Sequence, residues 1–217
     1  MNSLVVQALA CFNSRMAYLW RELTSEQRAG LLAWRKQREF PWHSPPHALR
    51  AQGTYHLTAA CLDHTAYIGY STERMADFCG GLLAAMAPVT AGIHAWCVLP
   101  NHYHLLVTTP DLRSAIWALG RLHGRTSFRW NKEEGSRGRQ VWCAAADRFM
   151  RGDGHFWATM NYIHHNPVRH GYVKQWLDWP YSSVREFLAG VGRVKAERLW
   201  HEYPLEDYGR NWDEPWM

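Results

Sequence analysis

The stretch Leu99-Pro100-Asn101-His102-Tyr103-His104-Leu105-Leu106-Val107 combines a turn with an apolar strand. Pro100-Asn101 is a typical tight-turn pair, and the apolar run from Ile93 to Leu99 predicts a preceding strand, so the two strands should form a hairpin. Successive side chains of a strand point to opposite faces of the sheet. His102 and His104 are therefore expected to point the same way, at the mouth of a sheet.

A second informative stretch is Asn161-Tyr162-Ile163-His164-His165-Asn166-Pro167-Val168. It predicts a helix over residues 154–165 that Asn166-Pro167 ends, because the residue before a proline avoids helical backbone angles. Tyr162 and Asn166 are four residues apart and should share one helix face. Imidazole is a common ligand of divalent ions, and an amide oxygen can add to such a shell. The two stretches together suggest a metal-assisted site with a tyrosine nucleophile.

Each of these signals is weak when taken alone. The chain has thirteen histidines and ten tyrosines, and ordinary packed histidines and core tyrosines are common. A phenol with a pKa of about 10 is mostly neutral near pH 7, so an attacking tyrosine needs a divalent ion to offset the charge that develops on a phosphate. His164 and His165 are expected in the core or on the surface. Seven further histidines show no ligand spacing: His43, His47, His64, His123, His155, His170 and His201.

The remaining sequence predicts an α+β fold with a largely antiparallel sheet, because strands and helices alternate around a hairpin. We expect three parts: an N-terminal helical extension with a proline-rich linker over 1–50, a central domain over 51–175, and a C-terminal extension over 176–217 that packs on it. The further expected elements are a helical region over 15–39 that contains a helix-start signal at Thr24-Ser25-Glu26, a linker over 40–50, a strand from Thr54 to Ala60, a helix over 72–87, a helix from Asp111 or Ser114 toward Trp130, and a short strand at Val141-Trp142.

The composition is that of one ordinary domain with extensions. With 217 residues, of which 47% are hydrophobic and thirteen are tryptophan, the chain can bury a sizeable core. No stretch reaches the roughly 18 uncharged apolar residues of a membrane helix, and the start lacks the basic leader of a signal peptide. The five cysteines are scattered without a Cys-x-x-Cys spacing. They predict reduced thiols of a cytoplasmic protein rather than a disulfide framework or a zinc site.

The positive charge is concentrated in one segment. The net charge is +5, yet residues 113–151 alone carry nine basic residues against three acidic ones. Arg121, Arg125 and Arg129 recur every four residues and form one stripe along the predicted helix, which suggests a polyanion partner. We expect these three arginines and Arg148 to contact phosphates. The alternative is an ordinary solvated helix face and loop.

These motifs resemble those of the REP-associated tyrosine transposases, within the HUH superfamily of single-strand DNA transposases. The resemblance covers roughly residues 53–217, and the paired motifs are highly specific when found together. The segments that carry it are Trp96–Val107, Asp147-Arg148, Asn161–Gly171, Trp179–Ser183 and Tyr203–Gly209.

The resemblance implies a ferredoxin-like α+β sheet with helices packed on it, and a central domain that is catalytic. It implies that His102 and His104 bind a divalent metal ion (Mg²⁺ or Mn²⁺), that Asn166 completes the metal site, and that Tyr162 is the nucleophile. All four residues are present, which favours a competent enzyme.

Family members bind and nick single-stranded DNA near imperfect palindromic hairpins, leaving a 5′-phosphotyrosine and a free 3′-hydroxyl. The resemblance therefore implies that this protein binds such DNA. We expect it to act as a monomer or homodimer at the nucleoid. The covalent link preserves the phosphodiester energy, so strands can be rejoined without ATP. Two alternatives stay open at this point. One is a domesticated relative that binds DNA without transposition activity, and the other is a metal-dependent phosphoesterase that uses water.

Overall fold

The computed structural model describes residues 24–37, 52–205 and 208–209, and the chain divides into two compact units, Met1–Leu49 with Glu214–Met217, and Arg50–Asp213. In the first unit it describes one helix, α1 (Ser25–Gln37). The Thr24 hydroxyl accepts from the Gln27 amide (3.2 Å), and the Gln27 side chain accepts from the Thr24 amide (2.9 Å), which is a capping box. The predicted helix start is therefore confirmed. The rest of the predicted 15–39 helix and the 40–50 linker lie outside the described residues, and the three-part domain division stays a prediction.

A four-stranded antiparallel sheet forms the centre of the second unit. Its strands are β1 (Gly53–Ala60), β2 (Gly92–Val98), β3 (His102–Thr109) and β4 (Ala146–Phe149), in the spatial order β2-β3-β1-β4. The predicted hairpin is confirmed, since β2 and β3 pair directly and the Leu99 amide donates to the His102 carbonyl at 2.8 Å. β3 therefore has a neighbour on each side, which makes it a central strand of the sheet.

The predicted strand at Val141-Trp142 is wrong. Trp142 forms only a single bridge to Cys61, and the last strand of the sheet is β4, a few residues later. Val141 and Trp142 are buried in the core without belonging to a strand, which explains their apolar character. The Trp142 ring lies on Phe78, with ring centroids 5.2 Å apart. β4 escaped prediction because Ala-Asp-Arg-Phe is a short, half-buried strand with no apolar alternation.

Helices cover both faces of the sheet. α2 (Thr72–Met86) and α3 (Leu112–Glu133) pack on the face to which Tyr103, Leu105 and Val107 point, whereas α4 (Asp153–Arg169) packs on the face to which Leu106 points. Side chains cap the N-termini of α2 and α3: the Ser71 hydroxyl accepts from the Arg74 amide, and the Asp111 carboxylate accepts from the amides of Arg113 and Ser114. The α+β fold and the predicted positions of α2 and α3 are confirmed.

The predicted end of α4 at Asn166-Pro167 is wrong, because the helix continues through Pro167 to Arg169. Proline has no amide to donate within a helix, so a proline in the last turn costs less than one in the middle. The final turn is closed around it: the His170 amide donates to the Asn166 carbonyl and the Tyr172 amide to the Pro167 carbonyl, both at 3.0 Å. The extra turn places Arg169 seven residues after Tyr162, on the same side of the helix.

The segment after α4 continues along the outer edge of β2. The Val98 amide donates to the Tyr181 carbonyl at 2.9 Å, and the Ser183 amide donates to the Trp96 carbonyl at 3.0 Å. Two helices follow, α5 (Val184–Val191) and α6 (Arg193–Glu202). No helix in the described part of the chain is long and apolar enough to span a membrane. The four described cysteines are free thiols: Cys61, Cys79, Cys97 and Cys143.

His123, on the inner face of α3, links this helix to the sheet. Its ring is stacked on Trp142, with centroids 4.3 Å apart and planes 10° from parallel, and its Nε2 lies 3.0 Å from the Tyr103 hydroxyl. Burial lowers the pKa of His123 to about 3. The folded protein therefore holds this ring neutral at pH values at which an unfolded chain protonates it.

We expect the free energy of unfolding to fall on acidification because of His123. Below its ordinary pKa of about 6.5 the unfolded ring takes up a proton and the folded ring does not, so about 2 kcal/mol is lost between pH 7 and pH 5. In His123→Gln this part of the loss should disappear. Urea unfolding at both pH values measures it, with His201→Gln, at an exposed histidine, as the control. An equal pH dependence in wild type and His123→Gln would contradict the assignment.

Candidate active site

The two histidines of the first motif lie at the start of β3, directly after the hairpin turn. Both rings are buried (1% and 0% exposed), and the His102 and His104 centroids lie 5.0 Å apart on one face of the sheet. The prediction that the two imidazoles point the same way is confirmed. They face α4, the helix that carries the second motif.

Asn101, in the hairpin turn, orients His102. The Asn101 side-chain amide donates to the His64 carbonyl at 3.0 Å, so its oxygen is left to accept from His102 Nδ1, at 2.7 Å. In the neutral imidazole the proton is then on Nδ1, and Nε2 presents a lone pair. That Nε2 atom lies 3.2 Å from Asn166 Oδ1. A histidine that donates one ring N–H to an oxygen and offers the other nitrogen is the arrangement found at metal ligands.

His56, on β1, orients His104 through a hydrogen bond, as Asn101 orients His102. Its Nε2 lies 3.0 Å from His104 Nδ1, and the two ring centroids are 5.1 Å apart. When His104 Nδ1 carries the proton of this hydrogen bond, His104 Nε2 also presents a lone pair. Sequence reasoning missed His56, because only the pairing register, with Thr58 opposite His104, shows that His56 is a diagonal neighbour on the same face.

Tyr162 lies against these histidines. Its side chain is 1% exposed, and its ring centroid is 5.3 Å from that of His104 and 6.1 Å from that of His56. Asn166, one turn later on α4, is fully buried beside His102. The structure therefore brings together the four residues predicted from the two motifs. Their roles as ligands and nucleophile stay predictions at this point.

Positive side chains also reach the Tyr162 side of the sheet. Arg148 on β4 is paired directly opposite His56, and the Arg169 guanidinium lies 5.7 Å from the Tyr162 ring centroid. Burial lowers the pKa of Arg148. A hydrogen bond with the Tyr208 hydroxyl acts in the opposite direction, because it favours the charged guanidinium. Sequence reasoning missed Arg169, although its spacing of seven residues from Tyr162 is the signal that a longer helix would have supplied.

The arginine stripe of α3 lies on the opposite face of the sheet. Arg121 and Arg125 are exposed, whereas Arg129 is 3.4 Å from Asp77 and 3.7 Å from Glu133. The structure therefore brings Arg148 to the candidate site and leaves the stripe away from it. Contact of the stripe with DNA stays a prediction, but it concerns a different surface.

Two histidines that showed no ligand spacing lie beside the site. The His170 ring centroid is 5.0 Å from that of His102, and the His64 centroid is 6.4 Å away. Burial lowers the pKa of His170 to about 4, with smaller contributions from His104, Arg169 and His64. His164 is a core residue, as expected: its Nε2 lies 3.0 Å from Ser183 Oγ, and burial lowers its pKa to about 3.

The donor set fits a divalent ion. Within the described residues no group of three or more histidine, cysteine, aspartate or glutamate side chains is arranged to hold a metal ion, so a site here needs the amide of Asn166 as well as the two histidines. His102 Nε2 and Asn166 Oδ1 are both electron-pair donors, 3.2 Å apart. Two ligands at right angles with bonds of about 2.1 Å are separated by about 3.0 Å, so this pair is spaced as neighbouring ligands of one ion.

Tyr208 and Gly209 pack against Tyr162. The Tyr208 ring centroid lies 6.0 Å from that of Tyr162, and the Tyr208 hydroxyl hydrogen-bonds Thr159 on α4. Gly209, in the left-handed backbone region (φ +72°), lies so close that an added Cβ would overlap the Tyr162 ring. This close approach and the positive φ require glycine at the position.

Comparison with known proteins shows which family the chain belongs to. Its class is that of an α+β protein with a four-stranded antiparallel sheet, a histidine pair on a central strand and a tyrosine on the facing helix. No family model matches the chain. A Haemophilus influenzae protein named REP-associated tyrosine transposase is 31% identical over 176 residues, covering 74% of this chain and 90% of that protein.

Further relatives agree with this match. An Escherichia coli REP-associated tyrosine transposase is 31% identical over 103 residues, covering 45% of this chain and 56% of its own. The solved structure of a REP-associated tyrosine transposase bound to a REP hairpin aligns with a TM-score of 0.55 at 22% identity, covering 70% of this chain and 88% of that one, and it shares the fold. The chain belongs to the family of REP-associated tyrosine transposases.

Gly209→Ala should lower the free energy of unfolding more than Gly171→Ala. Both glycines have φ of +72°, but a Cβ at Gly171 meets nothing within 4 Å, whereas at Gly209 it overlaps the Tyr162 ring. The backbone penalty of about 1 kcal/mol is common to both, so the difference isolates the contact with the ring. Urea unfolding measures the two values, and equal losses would show that residues 208–209 do not pack on Tyr162 in solution.

Proposed function

We propose that this protein is a metal-dependent endonuclease and strand transferase for single-stranded DNA at palindromic, REP-like hairpins, acting through a 5′-phosphotyrosine intermediate. The observation that carries the proposal is the convergence of the Tyr162 ring, the oriented His102 and His104 imidazoles and the Asn166 amide on one face of the sheet. The relative whose structure contains a REP hairpin supports this class of DNA substrate.

In the proposed reaction the Tyr162 phenolic oxygen attacks the phosphorus of a DNA phosphodiester. The new bond joins the tyrosine to the 5′ side, the bond to the 3′-oxygen breaks, and the proton lost by the phenol is balanced by the proton gained by the 3′-oxygen. Because one phosphoester bond replaces another, a second 3′-hydroxyl can attack the phosphotyrosine and restore a DNA strand.

His102, His104 and Asn166 are the residues that would hold the ion. Bound there, a divalent cation supplies charge neutralisation on the non-bridging oxygens of the phosphate. The hydrogen bonds of Asn101 and His56 to the Nδ1 atoms hold the two imidazoles so that their Nε2 atoms are directed toward the ion. Arg148 and Arg169 add positive charge on the same side of the sheet, where a phosphate must sit to meet Tyr162.

Access to Tyr162 needs a local movement. The ring is 1% exposed, and Gly209 and Tyr208 pack on it. A phosphodiester is too large to reach the phenolic oxygen past this contact, so Tyr208 and Gly209 move aside when DNA enters the site. The backbone of α4 need not move, because Tyr162, Asn166 and Arg169 already share one side of that helix.

Tyr162→Phe should abolish the covalent DNA adduct and leave the fold and hairpin binding intact, because it removes one oxygen and little volume. The assay is denaturing electrophoresis of the protein with a labelled hairpin oligonucleotide and Mn²⁺, followed by peptide mapping of the adduct. Tyr103→Phe is the matched control: this buried tyrosine points to the other face of the sheet and should keep the adduct. A nucleotide on another tyrosine would overturn the assignment, and nicking without any adduct would favour a hydrolase that uses water.

Metal affinity should depend on His56 as well as on the ligands. We expect His102→Ala or His104→Ala to eliminate specific Mn²⁺ binding, and EDTA to stop nicking. His56→Ala should weaken Mn²⁺ binding by roughly 10- to 100-fold, because partners that orient a ligand have effects of this size. Calorimetric titration with Mn²⁺ measures this without any DNA. His94→Gln, at an exposed histidine of β2, is the control, and an unchanged affinity in His56→Ala would remove His56 from the site.

A further inference from the structure

We propose that the exposed face of α3 is a second DNA-binding site, which holds single-stranded DNA on the side of the sheet opposite Tyr162. The proposal rests on the proposed function only in taking DNA as the substrate, since it concerns residues that do not contact the candidate active site. We call this surface the α3 platform and define it by the residues Arg113, Trp117, Arg121, Arg125, Phe128 and Lys132.

Two large aromatic side chains stand out of the α3 platform. Trp117 is 63% exposed and Phe128 is 75% exposed. They are eleven residues apart, which is close to three helical turns, so both rings point in the same direction about 16 Å apart along the axis. Gly120 and Gly124 lie between them, and a Cβ at either glycine would meet nothing within 4 Å. The surface between the two rings is therefore open and has room for flat groups.

Cations flank these rings. The Arg121 guanidinium lies 4.7 Å from the Trp117 ring centroid, and Arg113, Arg125 and Lys132 are exposed. Among the residues that the structure describes, the ion pairs made by α3 involve Arg129 and Glu133 alone, so no carboxylate forms an ion pair with the platform cations. Asp111, at the start of the helix, is the acidic residue beside Arg113. Arg129, which the sequence placed in the same stripe, is held by Asp77 and Glu133 and is excluded from the platform.

This combination matches the chemistry of single-stranded DNA. Proteins that bind single strands stack bases on aromatic side chains and place cations along the phosphates. A duplex keeps its base faces stacked inside, so it offers no partner for two exposed rings. A second copy of this chain is disfavoured, because apposed platforms would bring two sets of like charges together. Since α3 and α4 lie on opposite faces of the sheet, the strand bound here is separate from the phosphate at Tyr162.

The experiment measures binding of the full chain to an unstructured oligothymidine of about 12 nucleotides, a length within the range of single-strand sites. Fluorescence anisotropy in EDTA keeps cleavage out of the assay. Trp117→Ala with Phe128→Ala should weaken binding at least about tenfold, because base stacking on an aromatic ring has effects of this order. Tyr70→Ala removes an equally exposed aromatic ring (67%) outside the platform and should leave the affinity unchanged.

The charge contribution has its own measurement. Arg121→Ala with Arg125→Ala should reduce the slope of log K against log salt by about 1.4, since each phosphate contact on a single strand contributes about 0.7. Arg193→Ala with Arg198→Ala removes the same charge from exposed positions of α6 and should leave the slope unchanged. Circular dichroism confirms that each variant is folded.

Three results would overturn the proposal. They are an unchanged oligothymidine affinity in the folded aromatic double variant, an equal loss in the α6 control, or a loss of self-association or of anionic-vesicle binding in the platform variant with DNA binding intact. None of these bears on Tyr162, because the assay involves no cleavage. Conversely, an absent covalent adduct with intact oligothymidine binding would contradict the proposed function and leave the platform in place.

Discussion

The pairing of β3 with a neighbour on each side is the constraint on which the rest of the structure depends. Because β3 is held between β1 and β2, its side chains must alternate strictly between two covered faces. Tyr103, Leu105 and Val107 pack under α2 and α3, while His102 and His104 face α4. A shift of one residue in register would place the histidines in the apolar core and remove both the core and the site. Stability and chemistry therefore depend on the same backbone hydrogen bonds.

Sequence reasoning succeeded where the signal was local and failed where it depended on distant partners. The hairpin and the starts of α1 and α3 follow from turn and capping chemistry, and the structure has them. The approach of Tyr162 to the histidines was implied by the family resemblance, and the structure has it as well. His56 was missed because its neighbour is set by strand register. β4 was missed because it is four half-buried residues at an edge. Arg169 was missed because proline is read as a stop, although in the last turn it removes only one hydrogen bond.

Burial explains why polar residues surround the site in two layers. A buried imidazole or amide destabilises the fold unless its donors and acceptors are satisfied, so each buried polar side chain needs a partner behind it. Asn101 is the partner of His102, and His56 is the partner of His104. The same hydrogen bonds that offset desolvation also decide which nitrogen of each ring carries its proton. In this region protein stability and the protonation pattern of the site cannot be varied independently.

The segment along β2 has a consequence for how copies of this chain can meet. Tyr181 and Ser183 occupy the outward backbone groups of Val98 and Trp96, the positions at which another strand would have to join. A sheet shared continuously between two molecules is thereby blocked at this part of β2. Any assembly of the chain through this flank must use side-chain contacts, which are easier to separate and to re-form than a common sheet.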